Sequence, residues 1–494
     1  MRPTRRDSAL VAAGAVVSGV GGFGFTWLLA RATGPSGAGV VLTVTTWFTL
    51  LLTLGKFGMD TTLVREGGRI RAGGSGAGTH QLLRWTLWPV VAVVAVAGLV
   101  VAVAAQPIGQ WILADSPVSL TPLVIAGGLL LPFAVYTVVQ LAYLRGLGSM
   151  AAYVSIEQLF KPGARLLGAA ALMVAGVTGA LAFGWVWFLP VLVGAVLTVV
   201  VAARPRPDTE VATAAPAVDD GVERARVWRY AGPRAASQAV DIVNTSFGTV
   251  VLGIMASAAD TGAFATALRV VFAGQLVFQS VRLLVAPSFA ALLAKDRIDD
   301  AQEVFAAGTA LIVALAWPAF LLCLILPELV LGLFGSGFES AAGVLQVLSV
   351  SGLLLAVVGN QGSVVLMSGR SGAALVAITA GLVVNVVVTL LLLQVWGPVA
   401  AAAGWTAAVL VEGLWLARTM AGEGFRPLPV DALSMAAKIA LTVGLPLVAV
   451  RVLWPVAPWA AVLMVIGGVV GLVLWVLPNA RVQFHLLTMG EARE

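Results

Sequence analysis

ALAFGWVWFLPVLVGAVLTVVVA, residues Ala180 to Ala202, is an unbroken apolar run with no charged side chain, and Arg204 and Arg206 follow directly after it. A helix needs about 20 such residues to cross a bilayer, and in lipid every backbone N–H and C=O must be bonded within the segment. The run is therefore read as a membrane-spanning helix with basic residues at its end. The alternating short strands of a barrel are not visible.

Working outward, the same pattern recurs in about fourteen segments. They lie near Ser8 to Ala30, Gly39 to Lys56, Trp85 to Ala105, Thr121 to Leu144, Ala151 to Val177, Ala180 to Ala202 and Tyr230 to Ala256. The rest lie near Gly262 to Leu284, Val304 to Leu326, Ala341 to Leu366, Gly372 to Val395, Val399 to Met420, Ala432 to Val452 and Ala457 to Leu477. Composition agrees: 60% of the residues are hydrophobic and 11% charged, with a mean hydropathy of +1.00, so a soluble protein of this size would lack polar surface. The expected class is an all-α integral membrane protein.

Most of the 29 Lys and Arg fall in alternate connections, among them Arg69, Arg71, Arg84, Arg145, Arg204, Arg224, Arg297, Arg370 and Arg426. Only Arg31 and Arg451 fall in the intervening ones, so both termini are expected in the cytoplasm of a multi-pass protein of the cytoplasmic membrane. The net charge of +6 is thus topological, spread over many loops with no aromatic platform, and nucleic acid is not an expected partner. Arg2, Arg5 and Arg6 precede an apolar stretch too long for a signal peptide, which reads as an uncleaved first span.

Arg204 to Arg229 mixes basic and acidic residues with Pro205, Pro207 and Pro216, and reads as a cytoplasmic linker between halves. Laying Leu28 to Glu66 against Val251 to Phe289 sets Gly39 opposite Gly262 and Thr43 opposite Thr266. The expected organisation is two six-helix bundles, residues 1–203 and 230–421, joined by the linker 204–229 and followed by two further helices and a tail, 422–494. Because an even number of spans separates the copies, they share one orientation and imply a pseudo-twofold axis along the membrane normal. Such a pair of bundles suits alternating access.

Ionisable residues inside spans are costly and mark wet interiors. Glu157, Lys161 and Arg165 form one helical stripe; Arg234, Gln238, Asp241 and Thr245 form a second. Gln275, Gln279 and Arg282 share a face, as do Thr49, Thr53, Lys56 and Asp60. Snorkelling to the cytoplasmic headgroups is the plainer alternative for Lys161 and Arg165, and interfacial anchoring for Arg282 and Arg269. Cations nonetheless outnumber Glu157 and Asp241 at membrane depth, a bias that favours an anionic cargo, and guanidinium forks suit phosphate oxygens. Glu157 and Asp241 are the acids available for ion coupling.

Other chemistry is poorly supported. The Gly-rich run Gly67 to Gly78 lacks the Lys of a phosphate-binding loop; His80 and His485 have no ligand-spaced neighbours, and Cys323 has no partner cysteine. No cofactor and no metal is expected. Asp115, Glu328 and Glu339 are the outer-loop acids an enzyme could use, but solvated loop positions explain them more simply.

FTWLLARATGPSGAG (Phe25 to Gly39) resembles the first-helix signature of Wzx-type polysaccharide flippases, within the multidrug/oligosaccharidyl-lipid/polysaccharide exporter superfamily, and TTLVRE (Thr61 to Glu66) the end of their second helix. GAFATALR (Gly262 to Arg269), PSFA (Pro287 to Ala290), LGLFGSGF (Leu331 to Phe338) and LMSGR (Leu366 to Arg370) continue the likeness. The resemblance implies a MATE-like arrangement and a transporter moving a lipid-linked oligosaccharide, on a polyprenyl pyrophosphate carrier, for cell-surface polysaccharide biosynthesis. It implies no enzyme, with membrane lipids and polysaccharide-assembly machinery as further partners. Arg31, Arg65 and Arg269 match the family's basic positions; Lys161, Arg165, Arg234 and Arg282 join them by the stripe argument. Lipid II flippases, similar in outline, carry charges inside the first span, whereas Ala9 to Ala30 has none. A MATE-like multidrug or small-molecule exporter is the alternative, and a polytopic glycosyltransferase or polymerase a further one.

Overall fold

The computed structural model describes residues 5–71, 79–116, 118–204, 220–295, 297–454 and 457–482. Described residues are helical apart from turns and short connections. In chain order the helices begin with α1 (Arg5–Gly55), α2 (Met59–Arg71), α3 (Thr79–Val103), α4 (Ala105–Ile112), α5 (Thr121–Gly146), α6 (Met150–Tyr153), α7 (Lys161–Val174) and α8 (Ala180–Ala202). They continue with α9 (Asp220–Met255), α10 (Ala258–Ala294), α11 (Ile298–Ile325), α12 (Pro327–Gly332), α13 (Ala342–Val358) and α14 (Gln361–Met367). The last are α15 (Ser371–Trp396), α16 (Pro398–Ala421), α17 (Val430–Ile439), α18 (Leu445–Leu453) and α19 (Pro458–Gly471).

Among the described residues, 12 helices are long and apolar enough to cross a membrane, fewer than the fourteen-segment reading. Two backbone features account for the difference. The first two expected segments run together as Ala13–Gly55, because the helix continues through a kink at Gly34 (φ 67°, ψ −176°), ahead of Pro35. The fifth is divided: α6 passes through a π-helical turn, Val154–Phe160, into α7. Pro162 has no N–H to offer the carbonyl one turn back, and its ring pushes against that turn, which favours the wider winding.

Apolar side chains face outward on several helices. Val93, Val96, Val100 and Val103 of α3 are exposed, as are Leu463, Ile466 and Val470 of α19 and Leu474 just after it, as lipid-facing surfaces require. Close helix approach comes from small residues instead. A Cβ on Gly98 would stand 2.2 Å from the Gly128 carbonyl oxygen of α5, so these two helices touch backbone to backbone. Gly39 and Gly262, the pair set opposite one another by the sequence comparison, also touch: a Cβ on Gly262 would lie 2.0 Å from the Pro35 carbonyl oxygen and 2.9 Å from the Gly39 Cα.

The chain divides into two units, Met1–Ala265 and Thr266–Glu494. Tyr143, Phe183 and Phe188 are among the large side chains fully buried in the first, and Phe320, Phe334 and Phe338 in the second. Most of the linker expected over 204–229 lies outside the described residues, but its last part, from Asp220, is already helix α9.

Candidate functional site

The first unit holds a charged interior built on α1, α2, α7, α8 and α9. After the π-turn, Lys161 is buried, its stem against Gly194 of α8, where a Cβ would stand 2.7 Å from the lysine Cε. Its ammonium donates to Glu157, the ion pair expected from their spacing. An isolated ammonium in such a place would cost several kcal/mol, and the Glu157 carboxylate offsets part of that cost. Gln158 approaches α1 at Gly14, and Pro162 approaches it at Gly21, which is how α1 comes close to the widened turn.

One turn further, Arg165 lies over the Trp187 indole, its Cζ 4.0 Å from the ring centroid, and its Nε donates to the Trp187 carbonyl at 3.1 Å. Trp187 is itself fixed by edge contacts with Phe48 and Phe188 at 5.4 and 5.0 Å. The guanidinium is thus oriented before any ligand arrives. Its sequence marker was the stripe; Trp187, inside an apolar run, carried none.

A second group gathers where α1 ends. Phe57 (φ 49°) and Gly58 (φ 69°) turn the chain through two successive left-handed residues into α2. Gly58 faces the Ala231 carbonyl of α9, where a Cβ would lie 2.8 Å from the oxygen, so the elbow needs glycine for both reasons. Lys56 and Asp60 pair across the elbow at 2.8 Å, and Gln238 of α9 donates to Asp60 at 3.1 Å. Burial pushes the Asp60 carboxyl up, but Lys56, Gln238 and the Thr61 amide together outweigh it and leave the group below the usual carboxylate range.

Further along α2, Arg65 sits over the Tyr230 ring at 4.2 Å, and the buried Glu66 takes Arg226 at 3.0 Å and Arg69 at 3.6 Å. Arg226, Tyr230, Arg234 and Gln238 succeed one another every fourth residue along α9. Arg234 is half-buried and has no side-chain partner among the described residues. Asp241 is exposed, without a hydrogen-bond partner for its carboxylate among the described residues, and within electrostatic reach of Lys56. Tyr153 stands within reach of both Glu157 and Asp60, so the two groups are neighbours.

The other predicted residues lie elsewhere. Arg31 is exposed beside Trp27, its Cζ 5.8 Å from the ring. Arg269 and Arg282 belong to the second unit; both are exposed, and Arg282 lines a small cavity with Thr309, Asn360 and Ser363. Residues that sequence reasoning passed over are Trp187, Tyr230, Glu66 and Arg226. Arg226 falls within the stretch Arg204 to Arg229 that reads as a linker, and Glu66 stands in the TTLVRE motif, its partner on α9 not written in the sequence.

A pre-oriented guanidinium, an unpaired one and a paired lysine suit an anion with several oxygens better than an organic cation. The family model for polysaccharide biosynthesis proteins matches residues 5–293, more than half of the chain. The chain belongs to the polysaccharide biosynthesis protein family. No curated protein matches it. Among solved structures, this polysaccharide biosynthesis protein resembles the lipid II flippase MurJ in an inward closed conformation, with a TM-score of 0.70 at 10% identity over 94% of this chain and 97% of that one. It resembles an inward-facing multidrug resistance MATE family transporter of the MOP superfamily, with a TM-score of 0.63 at 14% identity over 82% and 94% of the two chains. A MOP superfamily transporter from Pyrococcus furiosus, described by the reverse polarity of its binding pocket, follows with 0.55 at 14% identity over 87% and 95%. The fold expected from the superfamily resemblance is therefore present, and these neighbours are transporters and a flippase rather than enzymes.

Proposed function

We propose that this polysaccharide biosynthesis protein is a flippase that carries a lipid-linked oligosaccharide, on polyprenyl pyrophosphate, from the cytoplasmic to the outer leaflet of the cytoplasmic membrane. It opens alternately to the two faces, with both termini in the cytoplasm. Two six-helix bundles, 1–203 and 230–421, do the moving, and 422–494 adds two helices outside the repeat. The observation that carries the reading is Arg165 stacked on Trp187, a cation oriented at membrane depth in a unit that also holds the unpartnered Arg234. Pyrophosphate is held chiefly by Arg165 and Arg234 during transport, with Lys161, Arg65, Arg31, Arg269 and Arg282 as further basic positions along the route. Of the two acids, Asp241 is the better coupling group, because Glu157 already holds Lys161.

The test is transport by the purified protein in liposomes, with a fluorescent polyprenyl-pyrophosphate oligosaccharide in one set and a fluorescent organic cation in another. Movement of the glycolipid alone is expected. Movement of the organic cation alone would make the protein a drug exporter.

A further inference from the structure

Glu66 is a charged residue with little access to solvent, 6% exposed, set among arginines. Arg226 reaches it from α9, Arg69 from the next turn of α2, and Arg65 beside it is held on Tyr230. Arg234 follows one turn beyond Tyr230. The Glu66 carboxylate contacts two guanidinium groups directly, with Arg65 and Arg234 nearby on the same two helices, and it offers two oxygens where a diphosphate offers more oxygens and more charge.

The helix that carries Glu66 is poised to part from α9. Met59 and Leu63 are fully buried, and Gly67 packs on the Gly146 backbone, so α2 is fastened to α5 by apolar and backbone contacts. To α9 it is joined along its length by three polar contacts: Asp60 with Gln238, Arg65 with Tyr230, Glu66 with Arg226. The elbow at its start keeps Phe57 in a left-handed conformation that is unfavourable for a non-glycine residue, so contacts must hold it there.

We infer that Glu66 is a built-in carboxylate competitor at a diphosphate-binding site formed by Arg226, Arg69, Arg65 and Arg234 at the N-terminal end of α9. The headgroup displaces Glu66 from Arg226, and the loss of that pair releases α9 from α2. The inference rests on the pyrophosphate-lipid reading above and adds to it a loading site and the trigger that opens it.

The measurement is binding of undecaprenyl pyrophosphate in nanodiscs, and separately of inorganic pyrophosphate, to full-length wild type, Glu66→Gln and Arg226→Gln. A Cys323→Ala background with spin labels at Gly68→Cys and Arg229→Cys, both exposed positions, reports the α2 to α9 distance. Glu66→Gln is expected to tighten binding about tenfold and Arg226→Gln to weaken it about tenfold, while each lengthens the label distance without ligand. In the wild type the ligand itself lengthens it. Glu66→Asp, which keeps the charge, falls between wild type and Glu66→Gln and covers the case in which Glu66→Gln does not fold. A response to both probes shows that the anion alone is recognised, and a response to the lipid alone that the membrane must present it. A plain structural ion pair predicts that both substitutions weaken binding or leave it unchanged, and either result overturns the inference. If wild type fails to flip glycolipid but the substitutions shift binding in opposite directions, the site stands and the transport reading falls. If flipping is normal and the shifts agree in sign, the reverse holds.

Discussion

At the scale of single residues, the first unit keeps each membrane-depth cation in a different state. Lys161 is neutralised by Glu157, so Glu157→Gln strands a buried ammonium and is expected to cost about 3 kcal/mol, read as a lower unfolding temperature in detergent. Combining it with Lys161→Met is expected to recover most of that loss, since the charge and its missing partner go together. Arg165 is oriented by Trp187, and Arg165→Lys keeps the charge while losing the contact of the guanidinium with the indole and its Nε bond. Its expected effect is a drop in glycolipid transport of about tenfold with a stability change of only about 1 kcal/mol. Asp60 gives the pH dependence. Its folded pKa lies below its unfolded one, so its contribution is whole above the unfolded value and is lost as pH falls through the folded value. Label accessibility at Gly68 is expected to rise in that acidic window for the wild type and to show no such step in Asp60→Asn.

At the scale of helices, the spans were legible and their interruptions were not. Hydropathy marks a run such as Ala180 to Ala202 because lipid selects side chains, but it does not register that α1 continues through Gly34 or that the chain widens before Pro162. Both are backbone events whose sequence signs, a Gly-Pro pair and a lone proline, also fit an ordinary turn or kink. Short α2 was read as the end of a span and a loop, since its polar face left too few apolar residues for a crossing. The stripe logic found Glu157, Lys161, Arg165 and Asp60, because partners four residues apart on one helix are written in the sequence. It missed Trp187, Tyr230 and Arg226, whose partners come from another helix. The π-turn makes its own prediction: Pro162→Ala supplies the missing N–H and should let the segment wind as an α-helix, turning Glu157 relative to Lys161. Transport is expected to fall with no loss of thermal stability; unchanged transport would remove the widened turn from the account.

At the scale of the whole molecule, composition and loop charge point to a polytopic membrane protein, and weak motifs in the right order point to a polysaccharide flippase; the match over residues 5–293 shows the polysaccharide biosynthesis protein family, and the solved structures show the fold. Neither fold nor family chooses the cargo, because MATE exporters share the architecture. The choice falls to charge at the site, and the central claim is that Arg165 and Arg234 carry the pyrophosphate. The most direct measurement is flipping of a fluorescent polyprenyl-pyrophosphate oligosaccharide in proteoliposomes by the wild type and by the combined Arg165→Ala and Arg234→Ala variant, at matched, folded protein levels. The account predicts flipping by the wild type and its near loss in the variant; equal flipping by both would contradict it.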